Sequence, residues 1–160
     1  MSRRHAAKKR EIFPDVKYNS VLLAKFINVV MEEGKKELAR NIVYGAFEFI
    51  NKKHSLDGFD VFNSAIDNVK PSVEVTSVRV GGGNYQVPAP VTKSRGETLA
   101  IRWIIKSSKK RSERSMIEKL AEELFDAANS KGSSVKQRED THKMAEANRA
   151  FAHLSPKARR

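Results

Sequence analysis

The chain has 160 residues, enough for one domain with a substantial core, and its 31 Lys and Arg side chains against 19 Asp and Glu give a net charge of +12. Because so basic a small protein suits a polyanion, we expect nucleic acid as the partner first and an anionic membrane second. The sequence has no cysteine, which excludes disulfides, thiol chemistry and zinc fingers. It also has no apolar run of membrane-spanning length and no apolar segment after its basic start, so we expect a soluble, intracellular protein.

A basic arm precedes the first predicted helix. We expect residues 1–19 to be irregular and to become ordered on a polyanion, because runs of like charge are usually solvated when alone. The basic residues of this arm are Arg3, Arg4, Lys8, Lys9 and Arg10.

Three amphipathic helices are predicted next. Helix one should run from an N-cap at Ser20 to a stop before Gly34, helix two over about residues 36–53, and helix three over about residues 59–69 with Pro71 ending it. The expected core positions of helix one are Leu22, Leu23, Phe26, Ile27 and Val30, and those of helix two are Leu38, Ile42, Ala46, Phe49 and Ile50. Two lysines, Lys35 and Lys36, stand at the start of helix two, where the helix dipole disfavours cations; either a phosphate partner or simple hydration accounts for them.

A β-hairpin is predicted over residues 72–91. The run Gly81–Asn84 tolerates positive φ and predicts the turn. The valine alternation changes parity between Val75 and Val78, which predicts a β-bulge, and two prolines in the second strand exclude a central position in a sheet. Tyr85 at the tip either stacks on an unpaired base or packs against the base of the hairpin.

Helix four, over about residues 97–110, carries the clearest binding signal. At 100° per residue one side is apolar, and the other, extended one turn back, is a narrow basic ridge without a carboxylate. This basic ridge consists of Arg95, Arg102, Lys106 and Lys109. Solvated helices usually mix charge signs to gain i,i+4 pairs, so a ridge of one sign favours phosphate contact. The positive field continues through Lys110, Arg111 and Arg114.

Two further helices complete the predicted fold. Helix five opens with a capping box of Ser115 and Glu118, and its outer carboxylates are expected to point away from the polyanion. Those carboxylates are Glu118, Glu122 and Asp126, and the core stripe is Met116, Ile117, Leu120, Leu124 and Ala128. Helix six, over about residues 135–151, is expected to present one basic face and to dock through another. The basic face holds Arg138, His142 and Arg149, and the docking face holds Met144, Ala147 and Phe151.

No catalytic constellation emerges from the residue spacing. Glu139 and His142 have the E-x-x-H spacing of carboxylate-bridged metal sites, but no second such pair exists, so a surface histidine is favoured. The glycine run leads into a strand and not into a helix, which excludes a dinucleotide-binding loop. We therefore predict no enzymatic activity, no cofactor and no metal.

Several long motifs resemble one family. The stretches VGGGNYQVP in the hairpin, RGETLAIRWI in helix four and KQREDTHKMAEANRAFAH near the C-terminus, with EGKKELA and RSMIEKLAEELFDAANSKG, are similar to the bacterial form of small-subunit ribosomal protein seven. The resemblance implies a bundle of about six helices with a protruding hairpin between helices three and four. It implies a primary rRNA-binding protein that nucleates assembly of the head of the small subunit. It also places the hairpin near the exit-site tRNA and the mRNA path, with small-subunit proteins nine and eleven as neighbours.

The same resemblance assigns residues to these contacts. The family's rRNA surface matches Arg3, Arg4, Lys8, Lys9, Arg10, Lys35, Lys36, Arg79, Lys93, Arg95, Arg102, Lys109, Lys110 and Arg114. From the charge pattern we add Lys106, Arg111, Arg138 and Arg149. The part near tRNA and mRNA matches the hairpin tip, Gly81, Gly82, Gly83, Asn84 and Tyr85. One departure is Gly96, which stands where family members often have a second basic residue beside Arg95.

The prediction is therefore a single, mainly α-helical RNA-binding domain without enzymatic activity. Its parts are an arm at 1–19, helices one to three in 20–71, the hairpin in 72–91, helices four to six in 92–151 and a basic tail at 152–160. Two alternatives stay open: a DNA-binding helical regulator, and a metal-dependent enzyme built on Glu139 and His142.

Overall fold

The structure, a computed structural model, describes residues 10–154. The described part is mostly helical, with a two-stranded antiparallel hairpin between the third and fourth helices, which confirms the predicted fold class. The elements in chain order are α1 (Val21–Val30), α2 (Lys36–His54), α3 (Gly58–Val69), β1 (Val73–Val80), β2 (Gly83–Pro90), α4 (Lys93–Lys109), α5 (Met116–Ala128), α6 (Gly132–Ala147) and a 3₁₀-helix (Arg149–Leu154). The chain divides into two compact units, Met1–Arg40 and Asn41–Arg160.

Helix α1 begins where its cap predicts. The Ser20 hydroxyl oxygen accepts a hydrogen bond from the Leu23 backbone N–H at 3.3 Å, which satisfies one of the free donors of the first turn. Leu23, Phe26 and Ile27 are almost fully buried, as the apolar stripe predicts. The helix ends at Val30, ahead of a turn in which Gly34 has a φ of +76°.

The buried side of α2 differs from the predicted one. Leu38 is 57% exposed, whereas the buried positions of this helix are Ala39, Val43, Ala46, Phe47 and Ile50. The apolar arc of this helix is wide enough for two overlapping stripes at helical spacing, and the sequence pattern does not decide between them. The prediction was right for Ala46 and Ile50 and wrong for Leu38.

The core of the second unit lies between α3, α4 and α5. Phe62, Ile66, Ile104 and Leu120 are fully buried there, and each contributes roughly 1.5–3 kcal/mol by its removal from water. Its other buried apolar residues on these helices include Val61, Ala65, Val69, Ala100, Ile101, Ala121, Leu124 and Ala127.

Helix α6 docks through a different face from the predicted one. Val135 and Ala145 are buried, whereas Met144 is 50% exposed, and Ala147 is exposed at the last position of the helix. Regular helix ends at Ala147 and continues as the 3₁₀-helix, which carries Phe151. The mean hydropathy of α6 is low, so its few apolar residues define no clear stripe and its orientation depends on its neighbours.

The hairpin is regular from end to end. Its strands pair one to one from Val73↔Pro90 to Val80↔Gly83, so the predicted bulge is wrong. Gly81 and Gly82 form the two-residue turn with φ of +58° and +88°, the positive values that a tight hairpin turn of this twist requires. A two-stranded ribbon needs no single apolar face, which explains the change of valine parity without a bulge. The hairpin is supported by packing of β1 on α6 and of β2 on the 3₁₀-helix.

Candidate nucleic-acid interface

The basic ridge forms on α4 as predicted. The helix starts at Lys93, about one turn before the predicted start, so Arg95 lies within it; the Gly96 N–H already donates to the Thr92 carbonyl at 2.9 Å. All four ridge residues are exposed, while Ala100, Ile101 and Ile104 on the other side are buried. The ridge runs about 21 Å along the helix, at 1.5 Å per residue from Arg95 to Lys109.

Arg95, at one end of the ridge, pairs with a carboxylate of the hairpin. The Arg95 Nε donates to Glu74 Oε2 at 3.2 Å, and these two side chains are 47% and 26% exposed. Glu74 belongs to β1, 21 residues earlier in the chain, so no helical wheel of α4 includes it. A partly exposed pair of this kind contributes about 0–1 kcal/mol, so exchange of Glu74 for a phosphate costs Arg95 little.

Arg111 forms ion pairs with three carboxylates of the protein. Its guanidinium donates to Glu113 Oε1 at 2.8 Å, to Glu123 Oε2 at 3.0 Å and to Asp126 Oδ2 at 2.7 Å. Glu123 is fully buried, and its other oxygen accepts the Ser134 backbone N–H at 3.0 Å, at the start of α6. We therefore assign Arg111 to the stability of the fold and remove it from the proposed RNA surface.

Hydrogen bonding outweighs burial at both ends of this cluster. Burial works to lower the pKa of Arg111, but its hydrogen bonds to Asp126, Glu113 and Glu123 raise the pKa above its ordinary value. Burial likewise works to raise the pKa of Glu113, but the hydrogen bond and charge of Arg111 lower it below its usual range. Arg111 and Glu113 therefore both stay charged near neutral pH.

The carboxylates of α5 are not the open acidic face that the sequence predicts. Asp126 belongs to the Arg111 cluster, and Glu122 accepts a hydrogen bond from Lys53 Nζ at 2.6 Å. The capping interaction at the start of α5 is confirmed, since the Ser115 hydroxyl accepts the Glu118 N–H at 3.3 Å. Glu122 and Asp126 therefore neutralise specific cations of the protein, Lys53 and Arg111.

The predicted basic face of α6 is partly used in packing. Arg138 donates to the Asn68 carbonyl oxygen, while the Asn68 side chain donates to the carbonyls of Ala127 and Ala128 at 3.1 and 2.7 Å. His142 Nε2 accepts the Ser72 backbone N–H at 3.2 Å, which ties α6 to the foot of the hairpin. Arg149 is exposed on the 3₁₀-helix, separate from this packing.

The hairpin tip is largely open to solvent, and only Gly83 among Gly81 to Tyr85 is partly buried. Gly81, Gly82 and Asn84 are exposed, and Arg79 lies opposite Asn84 in the register and is exposed too. The Tyr85 ring lies 5.4 Å from the Phe151 ring of the 3₁₀-helix, tilted by 48°, a common geometry for a favourable aromatic pair. Tyr85 thus has a protein partner that neither of the two sequence interpretations named.

Comparison with known proteins identifies the family. The family model described as ribosomal protein S7p/S5e matches residues 2–149. The chain belongs to the ribosomal protein S7p/S5e family. The small ribosomal subunit protein uS7 of Rickettsia felis is 65% identical over 157 residues, which cover 98% of this chain and 99% of that protein. The protein of the same name from Rickettsia bellii is also 65% identical over 157 residues, covering 98% of this chain and 96% of that protein.

Membership of the S7p/S5e family confirms the predicted family and, with it, the predicted ribosomal character and rRNA-binding class. It also makes the chain one of a family of structural ribosomal proteins. Of the helices in the described residues, none is both long and apolar enough to cross a membrane. Between Arg10 and Leu154 no three His, Asp or Glu side chains come close enough to hold a metal ion, so Glu139 and His142 gain no partner there.

The other basic residues predicted for the S7p/S5e rRNA surface fall into three groups. In the second unit, Lys93, Lys110 and Arg114 are exposed near the ends of α4 and before α5. In the first unit, Arg10 and Lys36 are exposed, and Lys35 donates to Glu33 Oε2 at 2.6 Å in an exposed pair. The remaining residues of the predicted arm, Arg3, Arg4, Lys8 and Lys9, lie outside the described residues, as does the tail from residue 155.

Proposed function

We propose that this protein is a structural component of the small ribosomal subunit that binds small-subunit rRNA through the basic ridge of α4 and the basic residues around it. The observation that carries the proposal is a ridge of four exposed cations on a rigid helix, in a member of a ribosomal protein family. The whole chain acts as one RNA-binding unit without a catalytic step or a cofactor.

The binding mechanism is electrostatic. Like charges along one helix repel one another in the free protein, and phosphates relieve that repulsion while counterions are released. The buried apolar side of α4 fixes the helix on the core, so its basic side chains are presented on a rigid support of about 21 Å. Binding thus needs little reorganisation of the protein backbone, which keeps the entropic cost low.

The finer roles follow from the family resemblance. By binding an rRNA junction, the protein nucleates assembly of the head of the small subunit. The hairpin reaches the exit-site tRNA and the mRNA path, supported by its exposed glycine turn and by the absence of Asp and Glu from Val75 to Gly96. Small-subunit proteins nine and eleven are its protein neighbours.

Salt dependence of rRNA binding tests the ridge directly. Combined replacement of Arg95, Arg102 and Lys109 by alanine should weaken binding of a small-subunit rRNA fragment in filter assays. It should also lower the log–log salt slope by about 0.7–0.9 for each lost phosphate contact, or roughly 2–3 in all. As a matched control, Lys52→Ala removes an exposed cation from the last turn of α2 and should leave the slope unchanged.

Two outcomes would contradict the proposal. An unchanged slope in the triple variant would remove the ridge from the interface. In a competition assay, displacement of the rRNA fragment by duplex DNA at equal concentration would favour the DNA-binding alternative.

A further inference from the structure

A groove lies between α4 and the first half of α6, beside the basic ridge. It has a volume of about 160 Å³. From α4 and its C-cap residue Lys110 it is lined by Trp103, Lys106, Ser107 and Lys110, and from α6 by Ser133, Lys136, Gln137 and Asp140. Both walls belong to the second compact unit, and Lys106 belongs to the ridge and the groove alike.

The lining combines an aromatic face with positive charge. Trp103 is half-buried, so part of a large apolar ring remains in contact with solvent. Lys106, Lys110 and Lys136 are exposed around it, and three lysines against the one aspartate give the groove a net charge of +2. Among residues 10–154 none of these three lysines forms an ion pair, in contrast to Lys35, Lys53 and Lys70.

The size of the groove limits what it can hold. Sites for drug-sized ligands and cofactors usually have about 300–1,000 Å³, roughly twice this volume or more. A flat aromatic group the size of one nucleobase is a better match for a narrow groove with an indole on its wall. Bases stack on aromatic side chains irrespective of sequence, and lysines bind the phosphates on either side. Gln137 and Asp140 supply amide and carboxylate groups that pair with the polar edge of a base.

We propose that this groove binds one unpaired nucleotide of RNA, with the base stacked on Trp103 and the flanking phosphates on Lys106, Lys110 and Lys136. The proposal rests on the proposed rRNA binding and adds a specific subsite to it. The ridge neutralises phosphates in a row, whereas the groove recognises a nucleotide that has left its stack. Lys136 then becomes a binding residue, although neither the charge pattern nor the family resemblance singles it out.

Trp103 is the single tryptophan of the chain, so its fluorescence reports on the groove alone. Single-stranded oligouridylate should quench it, and an oligomer of the same length and charge without bases should not. Lys136→Ala should weaken the quenching by oligouridylate several-fold. Lys143→Ala, which removes another exposed lysine of α6 that does not line the groove, is the matched control and should have no effect.

Variants of the indole itself give a second measurement. Trp103→Leu should bind a small-subunit rRNA fragment about 5- to 150-fold more weakly, the range of one base–aromatic stack, and Trp103→Phe should retain most of the affinity. Circular dichroism and thermal melting check that both variants are folded. If neither folds, the quenching experiment on the unaltered tryptophan still decides.

The outcomes separate this proposal from the ridge. Normal rRNA affinity of Trp103→Leu, or equal quenching by the oligomer without bases, would overturn the groove while leaving the ridge intact. Quenching by an acidic peptide and not by RNA would assign the groove to a protein segment and overturn the proposal as well. A salt slope of rRNA binding that is unchanged in the ridge triple variant would instead refute the proposed function.

Discussion

The Arg111 cluster gives the most demanding stability prediction. Arg111→Ala removes three charge-assisted hydrogen bonds and leaves Glu123, whose side chain is 1% exposed, as a buried carboxylate without its cation. Breaking a buried ion pair by removal of one partner costs about 3–5 kcal/mol. Because the Arg111 side chain is 23% exposed and water screens part of the interaction, we expect the lower end, about 3 kcal/mol. That is a large fraction of the 5–15 kcal/mol typical of a whole domain.

Urea denaturation at pH 7 measures this loss. The control is Asp67→Ala, which breaks an exposed pair with Lys70 in which the aspartate is 72% exposed; it should change the free energy of unfolding by less than about 1 kcal/mol. The double variant Arg111→Met with Glu123→Leu removes the cluster's central charges together. It should recover part of the loss, since no buried carboxylate is then left without its cation.

The pH dependence of the loss has a defined sign. Glu113 has a lowered pKa in the folded protein, so its contribution is fully present above the unfolded value of about 4.3 and disappears as the pH falls through the folded value. Arg111→Ala lacks the part of that contribution that comes from Arg111 at every pH, while the backbone hydrogen bond of Glu113 and the charge of Lys119 remain. The part of the difference in unfolding free energy that comes from the Arg111–Glu113 interaction should therefore be constant from pH 7 to about pH 5 and shrink as the pH falls below the unfolded value of about 4.3. A difference under 0.5 kcal/mol at pH 7 by the same urea assay, or one independent of pH, would refute the assignment of Arg111 to the fold.

Two further substitutions probe packing. Gly58→Ala would place its Cβ 2.5 Å from Phe47 Cα, a backbone atom that cannot move aside. Although alanine has the better helix propensity, thermal and urea unfolding should show a loss of stability of about 1–3 kcal/mol. A gain in stability would contradict this close approach of α2 and α3. Phe151→Ala removes the ring beside Tyr85, so amide hydrogen exchange in β1 and β2 should accelerate while α3 to α5 keep their protection; unchanged exchange in the hairpin would show that the 3₁₀-helix does not support it.

Several local features of the fold were accessible in the sequence. The caps at Ser20 and Ser115, the stop at Pro71 and the glycine turn of the hairpin depend on residues within a few positions of one another. The exposed ridge of α4 follows from helical geometry alone once the helix is recognised. The long motifs indicated the family for the same reason, since each motif is a continuous stretch of the sequence.

Residues far apart in the chain decided the rest. Arg95 and Glu74 are separated by 21 positions, Arg111 and Asp126 by 15, and no periodicity within one helix relates them. The same holds for Tyr85 with Phe151, and for Lys136 of α6 beside Trp103 of α4. A helical wheel gives the direction of a charge on its own helix, but the packing of helices against one another determines which opposite charge it meets. The sequence therefore determined the elements and the sign of the surface, and the tertiary structure determined which cations remain available for RNA.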